Sequence, residues 1–148
     1  MKRILLSIIL GLLASASLRS QYQLVGFGSG CPGAQNQIPD IGFTGAVGLG
    51  QTIVWQTFRA APNVPAVLIF GLQQAAIPVG GPCNLLVLPI VVGVTATDTL
   101  GIARVPVPVP NDTRLRNTDF LFQYLVVDGS GQAFGGGSMT NGVSLRFL

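Results

Sequence analysis

Histidine and glutamate are absent from this 148-residue sequence, and its single lysine is Lys2. Serine and cysteine nucleophiles normally need a histidine base, and zinc sites are normally built from histidine and thiolate ligands. The carboxylates that remain are five aspartates, each beside glycine, proline, asparagine or threonine, where aspartate ordinarily stabilises turns. The sequence therefore predicts a protein that is not an enzyme and holds no cofactor or metal. The alternative is a hydrolase with paired carboxylates drawn from Asp40, Asp98, Asp112, Asp119 and Asp128.

The N terminus carries a short hydrophobic run of the kind that directs secretion. Lys2 and Arg3 precede the apolar residues 4–13, and small residues follow. This run is about half the roughly 20 residues that a membrane-spanning helix needs. It predicts a secretory signal peptide over residues 1–20, cleaved after Ala16 or Ser20, with an uncleaved anchor as the alternative. The mature chain is expected outside the cell or in the cell envelope, without a membrane span.

Removal of the predicted signal peptide would bring the net charge of the chain close to zero. Residues 21–148 contain five aspartates and five arginines, namely Arg59, Arg104, Arg114, Arg116 and Arg146. Because no basic stripe is left to neutralise a run of phosphates, we expect no nucleic-acid partner. The length of this segment is that of one ordinary domain, so we expect a single domain over residues 21–148.

Cysteine is limited to Cys31 and Cys83. An even count in an exported chain predicts a disulfide, whereas in a cytosolic chain it more often indicates metal or redox chemistry. Cys31–Cys83 is the only pairing available within one chain. Closing that loop would stabilise the fold by roughly 4 kcal/mol in the chain-entropy model. Two free buried thiols are the alternative.

Glycine, proline and asparagine recur along the mature chain at intervals of about 8–12 residues, with apolar segments of strand length between them. The pattern predicts an all-β fold, a two-sheet antiparallel β-sandwich of the immunoglobulin-like or jelly-roll-like kind, with one disulfide. A helix is not expected in the mature chain. The predicted strands are residues 21–27, 52–58, 66–72, 85–94, 101–109, 120–128 and 143–147, with a short one near 41–44.

Two of these strands also have a predicted position in a sheet. Residues 120–127 are apolar on both faces, with Gln123 as the one polar member, which predicts a central strand. Prolines at positions 106, 108 and 110 alternate with valines, so one edge of that strand lacks N–H donors. We expect it at the rim of a sheet with the proline side outward, where it would block aggregation. A polyproline-like connection is the alternative.

Several loop motifs have a structural interpretation that outweighs the functional one. Asp128-Gly129 is predicted to form a type I′ turn followed by a return strand near residues 132–134. Residues 128–131 lack the further carboxylates of a calcium loop. Residues 28–33 match G-x-G-x-x-G, but Pro39 follows too soon for the helix that would hold a pyrophosphate. A tight turn around the disulfide is the favoured interpretation.

A succession of short motifs resembles one known domain. In order, they are Phe27-Gly28-x-Gly30-Cys31-x-Gly33, Leu49-Gly50-Gln51-Thr52, Ala61-Pro62, Pro65-Ala66, Gly71-Leu72, Cys83-x-Leu85, Thr97-Asp98-x-x-Gly101-x-Ala103, Pro106-x-Pro108 and Phe120-x-x-Gln123-x-x-Val126-x-Asp128. Together they resemble a secreted β domain abundant in planctomycete surface and extracellular proteins. The resemblance covers nearly the whole mature chain and implies an extracellular β domain. It carries over no functional residues, because its positions are turns, cysteines and core.

Two functions fit this chemistry. Low charge and a hydrophobic fraction of 49% favour a structural or adhesive component of the cell surface or extracellular matrix that covers part of its apolar surface by self-association. The alternative is a lectin-like module with a glycan as partner, for which Trp55, Tyr124 and Tyr22 would be the stacking rings. Core packing is favoured for Trp55, since it shares a strand face with Ile53 and Thr57.

Overall fold

The structure is a computed structural model that describes residues 21–148. The predicted signal peptide and its cleavage sites lie outside the described residues. Within them the chain forms eleven strands and two short 3₁₀ segments, Ala34–Asn36 and Thr113–Leu115. The strands are β1 (Tyr22–Phe27), β2 (Asp40–Thr44), β3 (Thr52–Phe58), β4 (Pro65–Gly71), β5 (Gln74–Gly80), β6 (Cys83–Val87), β7 (Val91–Ala96), β8 (Arg104–Pro108), β9 (Asp119–Val126), β10 (Ser138–Met139) and β11 (Gly142–Phe147).

The strands form three antiparallel sheets. The central sheet has the order β1-β11-β9-β4-β7, and β10 also pairs with β9. The second sheet has the order β2-β3-β8, and β5 with β6 forms a separate hairpin. The predicted all-β antiparallel sandwich is therefore confirmed. The hairpin is an additional layer that the two-sheet prediction did not include.

Two apolar clusters hold these layers together. The larger one lies between the central and second sheets and consists of Ile53, Trp55, Ala66, Leu68, Ala103, Phe122, Tyr124, Val143, Leu145 and Phe147. The smaller one joins the hairpin to the central sheet and consists of Cys31, Ile69, Cys83, Val87, Leu121, Ala133 and Met139. Side chains alternate between the faces of a strand, so the central strands supply residues to both clusters.

Strand β9 is central, as its sequence predicts. Phe122 and Tyr124 face the second sheet, whereas Leu121 and Leu125 face the hairpin. Gln123 also lies on the hairpin side and is fully buried. The sequence of a strand that is covered on both faces is a nearly continuous apolar run, and β9 has this pattern.

Strand β8 is an edge strand, as its prolines predict. It pairs with β3 alone, with Pro106 opposite Val54 and Pro108 opposite Thr52. The N–H of Val109 donates to the carbonyl oxygen of Gln51 at 2.8 Å. Because alternate residues direct their N–H groups to the same side, the valine donors face β3 and the proline nitrogens face outward. Pairing with β3 rules out the polyproline-like alternative.

The predicted strand over residues 85–94 is wrong, because two strands in different sheets occupy this segment. The N–H of Leu88 donates to Gln73 beside the hairpin, whereas the N–H of Ile90 donates to Phe70 of the central sheet. Pro89 lies between them and has no N–H to continue a ladder. The sequence did not predict strand β5, because Pro78 interrupts its strand pattern. In the structure β5 also pairs irregularly with β6.

The predicted type I′ turn at Asp128-Gly129 and the return strand near residues 132–134 are also wrong. Gly129 has a positive φ of 74°, but Asp128 does not, whereas a type I′ turn needs both. A longer loop follows, and the return strand is β10. Predicted strand 101–109 begins later, at Arg104.

Candidate functional site

The disulfide lies under the central sheet. Cys31 and Cys83 are bonded, both are buried, and the part of the chain that the structure describes has no free cysteine. The N–H of Cys31 also donates to Met139 of β10 at 2.8 Å. This confirms the predicted pairing over two free thiols. The glycine-rich residues 28–33 lead into this bond and then into the short segment Ala34–Asn36, not into a phosphate-binding helix.

The rings proposed for carbohydrate stacking do not form an open surface. Trp55 and Tyr124 are both 0% exposed. The ring of Trp55 stacks on Phe122 with centroids 4.1 Å apart, and the Tyr124 hydroxyl donates to the Trp55 carbonyl oxygen at 2.9 Å. Tyr22 is half-buried and meets Phe43 edge-on. Trp55 and Tyr124 are therefore excluded as stacking platforms in this fold.

Burial has electrostatic consequences for these two core rings. It raises the pKa of Tyr124, and a hydrogen bond with the backbone of Val105 only partly opposes this, so the phenol is neutral at any physiological pH. The indole Nε1 of Trp55 is buried and has no hydrogen-bond partner among residues 21–148. Both rings serve packing between the sheets.

Four of the five aspartates form ion pairs with arginines, and none of these pairs shares a residue. The N···O distances are 2.6 Å for Arg59–Asp40, 2.8 Å for Arg104–Asp98, 2.7 Å for Arg114–Asp112 and 2.6 Å for Arg146–Asp119. Hydrogen bonds from arginine hold the pKa values of Asp98, Asp112 and Asp119 below the usual range. No group of three or more potential metal ligands occurs in the described residues.

The predicted turn role of the aspartates is correct for three of them. Asp98 accepts hydrogen bonds from the N–H groups of Leu100 and Ile102, and Asp112 accepts one from Arg114. Asp128 is the third. Asp40 and Asp119 instead begin β2 and β9.

Asp128 is held by hydrogen-bond donors alone. Its carboxylate accepts from the N–H groups of Ala34, Ser130 and Gly131 at 2.9–3.0 Å and from the Ser138 hydroxyl at 3.2 Å. Partial burial by itself raises the pKa of Asp128, but these four hydrogen bonds outweigh it and the pKa lies below its usual value. The carboxylate thus ties the loop after β9 to the segment after Cys31.

We expect Asp128→Asn to lower the free energy of unfolding by about 1 kcal/mol at pH 7, because an amide cannot accept from all four donors. A depressed pKa stabilises the fold above the unfolded-state value and loses that contribution as the pH falls through the folded-state value. The difference between wild type and variant should therefore shrink below about pH 4. Urea unfolding at pH 7, 5 and 3 measures it.

Asp112→Asn is the matched control, because it removes the same charge from a surface pair with Arg114. It should change stability much less than Asp128→Asn does, because solvent screens an exposed pair. Equal losses for the two variants, or a difference independent of pH, would contradict the role given to Asp128.

Two hollows in the described residues differ in chemistry. A polar hollow of about 380 Å³ is lined in part by Gln51, Asn111 and Arg116, and the Arg116 guanidinium donates to the main-chain oxygen of Leu148. An apolar cleft of about 260 Å³ lies between the central and second sheets, lined by aromatic side chains such as Phe70 and aliphatic ones such as Leu145. Neither hollow brings together two aspartates.

Strand β7 exposes an apolar surface that the sequence reasoning did not identify. It pairs with β4 alone. Val91 is 58% exposed and Val94 77% exposed, and Val92 and the preceding Ile90 are exposed as well. In sequence, a run of valines is typical of a buried strand. Pro89 is the signal that could have located this edge, because the chain must end its pairing in the hairpin there.

Scans against models of known protein families, curated proteins and solved structures find no match for this chain. Among residues 21–148, no helix is long and apolar enough to cross a membrane. Any functional conclusion therefore rests on the geometry of the chain itself.

Proposed function

We propose that this chain is a secreted, non-enzymatic structural or adhesive protein of the cell surface or extracellular matrix that associates with copies of itself. The observation that carries the proposal is the exposed edge of the central sheet at β7. An outer strand presents unpaired N–H and C=O groups, and natural edge strands are usually blunted by charge, proline or a bulge. Residues 90–97 contain no charged residue and no proline.

The same molecule blocks a different edge with proline. Outward-facing prolines protect β8, yet β7 presents valines that are more than half exposed. A short uncharged segment of high β-propensity on an open edge favours pairing with another strand. This contrast favours β7 as a contact surface.

The proposal includes export of the chain and kinship with the planctomycete surface domain that its sequence resembles. The predicted signal peptide and the Cys31–Cys83 disulfide both fit an oxidising compartment outside the cell. The resemblance to a planctomycete surface domain is compatible with a role there. The alternative of a lectin-like module has less support, since two of its three candidate rings lie in the core.

We expect Val94→Lys to weaken self-association about tenfold or more, because a lysine on the β7 edge places like charges together when two copies meet. Val94 is 77% exposed, so the fold should tolerate the lysine. Sedimentation velocity over a wide concentration range measures the effect on protein purified after export.

The matched control is Leu72→Lys, an exposed apolar position in the turn between β4 and β5. It should self-associate as the wild type does. Fractionation of producing cells adds a second measurement, since wild type should remain with the envelope or matrix and Val94→Lys should move into the medium. A wild-type protein that stays strictly monomeric at high concentration would overturn the proposed function.

A further inference from the structure

We propose that copies of this chain join edge to edge into an open ribbon, with β7 pairing with β7 of one neighbour and β1 pairing with β1 of the other. The inference rests on the proposed function and gives it a geometry. The partner is a second copy of the chain, and each contact extends the central sheet.

The first observation is that β1 and β7 are the two outer strands of the same sheet. Like β7, β1 contains neither charge nor proline, and it pairs with β11 in unbroken register. Its Leu24 and Val25 are exposed, the latter by 48%. The central sheet therefore ends on both sides in an apolar strand without charge or proline.

The other outer strands in residues 21–148 each carry a feature that hinders pairing with a new strand. β8 has its outward prolines, β2 begins at Asp40, and β5 contains Pro78 and pairs irregularly. β6 donates the Leu86 N–H to the Gln123 side chain, and the two-residue β10 accepts from the Cys31 N–H at Met139. Only the central sheet is left open, which points to growth in one direction across its strands.

Strand direction decides how the copies meet. All four pairings along β1-β11-β9-β4-β7 are antiparallel, so β1 and β7 run in the same direction. Joining β7 of one copy to β1 of the next by translation would give a parallel pair. A twofold axis perpendicular to the sheet instead joins β7 to β7, or β1 to β1, as antiparallel pairs. Antiparallel pairs are more stable per residue, and twofold contacts are the commonest kind.

Two twofold contacts at opposite ends of one sheet do not produce a closed oligomer. Each is self-complementary, and their alternation repeats the molecule indefinitely along one line. A perpendicular axis also keeps the second sheet on the same face of every copy. The natural twist of the sheet would give the ribbon a gradual twist.

The far end of β7 limits where its contact can form. The Thr95 hydroxyl donates to the carbonyl oxygen of Arg104 at 3.3 Å, so the edge of β8 lies close to β7 there. The Val105 side chain of β8 lies close to Gly93, and an apolar hollow separates the two strands near Val91. The contact is therefore assigned to residues 91–94, centred near Gly93.

The test uses three variants of the exported protein in sedimentation velocity, namely Val94→Lys, Val25→Lys and the double variant. Wild type should form species whose mass grows with concentration beyond the dimer. Each single variant keeps one open edge and should stop at twice the monomer mass, and the double variant should be a monomer. Urea unfolding confirms that each variant is folded.

Charge complementation distinguishes like-with-like contacts from a β7-to-β1 contact. One chain carries Val94→Lys and the other Val94→Glu, and both carry Val25→Lys to close the β1 edge. An equal mixture should form a heterodimer, because a twofold axis near Gly93 places residue 94 of each copy diagonally across from residue 94 of the other, within reach of long side chains. The ribbon would be overturned if this mixture formed no heterodimer, or if the single variants were monomers. If wild type grows but none of these variants limits it, the ribbon is wrong while self-association stands. A monomeric wild type would remove both proposals.

Discussion

Replacing both Cys31 and Cys83 with alanine is expected to lower the free energy of unfolding by about 4 kcal/mol. The two residues are 52 positions apart, so the disulfide closes a long loop and removes many conformations from the unfolded chain. A domain of this size has a total stability of about 5–15 kcal/mol. At the lower end of that range the variant would lie close to the limit of folding at 37 °C.

Urea unfolding of the oxidised wild type and the double variant measures the difference. Alanine avoids the buried hydroxyl groups that serine would leave beside Val87 and Met139. Because both sulfurs are buried, a reductant should act on the wild type only at denaturant concentrations that open the fold. A loss below about 1 kcal/mol would show that the loop is already restricted in the unfolded chain.

Patterns within a single segment predicted much of the fold. β3 was predicted with its observed bounds, because its apolar residues lie between clear turn signals. Apolar residues on both faces located β9 in the centre, and alternating prolines located β8 at a rim. Each of these inferences depends on the period of a strand, which is a local property.

Properties that depend on distant pairing could not be predicted in this way. The hairpin β5-β6 forms a separate layer that packs against a second apolar face of the central sheet, where β9 and Cys31 contribute side chains. A valine-rich strand has the same local pattern whether it is central or outer, so the exposure of β7 follows from sheet order alone.

The candidate site shows the same limit. In sequence, a tryptophan or tyrosine in a strand is compatible with both a core and a sugar platform, and only for Trp55 did its neighbours on the strand face favour the core. For Trp55 and Tyr124 the second sheet decides the matter by covering both rings. The aspartates were more predictable, because Asp98, Asp112 and Asp128 bond to the backbone within a few residues of themselves.

Gln123→Leu is expected to lower the free energy of unfolding by about 3 kcal/mol or more. The glutamine is the one polar side chain in the predicted central strand, and it is fully buried. Its Oε1 accepts from the Leu86 N–H at 2.9 Å, and its Nε2 donates to the carbonyl oxygens of Asn84 and Thr140 at 3.1 and 3.0 Å. Leucine has nearly the same size but would leave one N–H and two carbonyl groups without partners.

The three contacts also give the substitution a local signature. Asn84 and Leu86 belong to β6, whereas Thr140 lies between β10 and β11, so Gln123 bonds the hairpin to the central sheet from beneath. Hydrogen exchange at the Leu86 amide should accelerate more in Gln123→Leu than exchange in β3, which the substitution does not touch. Uniform acceleration would indicate a global loss of stability without a separate role in holding the hairpin.

Gln23→Leu is the matched control, because Gln23 is exposed on β1. It should change stability by less than about 0.5 kcal/mol. If Gln123→Leu is equally harmless, apolar packing alone holds the hairpin and the buried amide contributes nothing net. If Gln123→Leu lowers the free energy of unfolding as expected and exchange accelerates first at the Leu86 amide, then this one glutamine holds the hairpin layer in register. That layer covers the face of β9 opposite the second sheet, so its loss would expose Leu121 and Ile69 and favour nonspecific association over ordered pairing at the sheet edges.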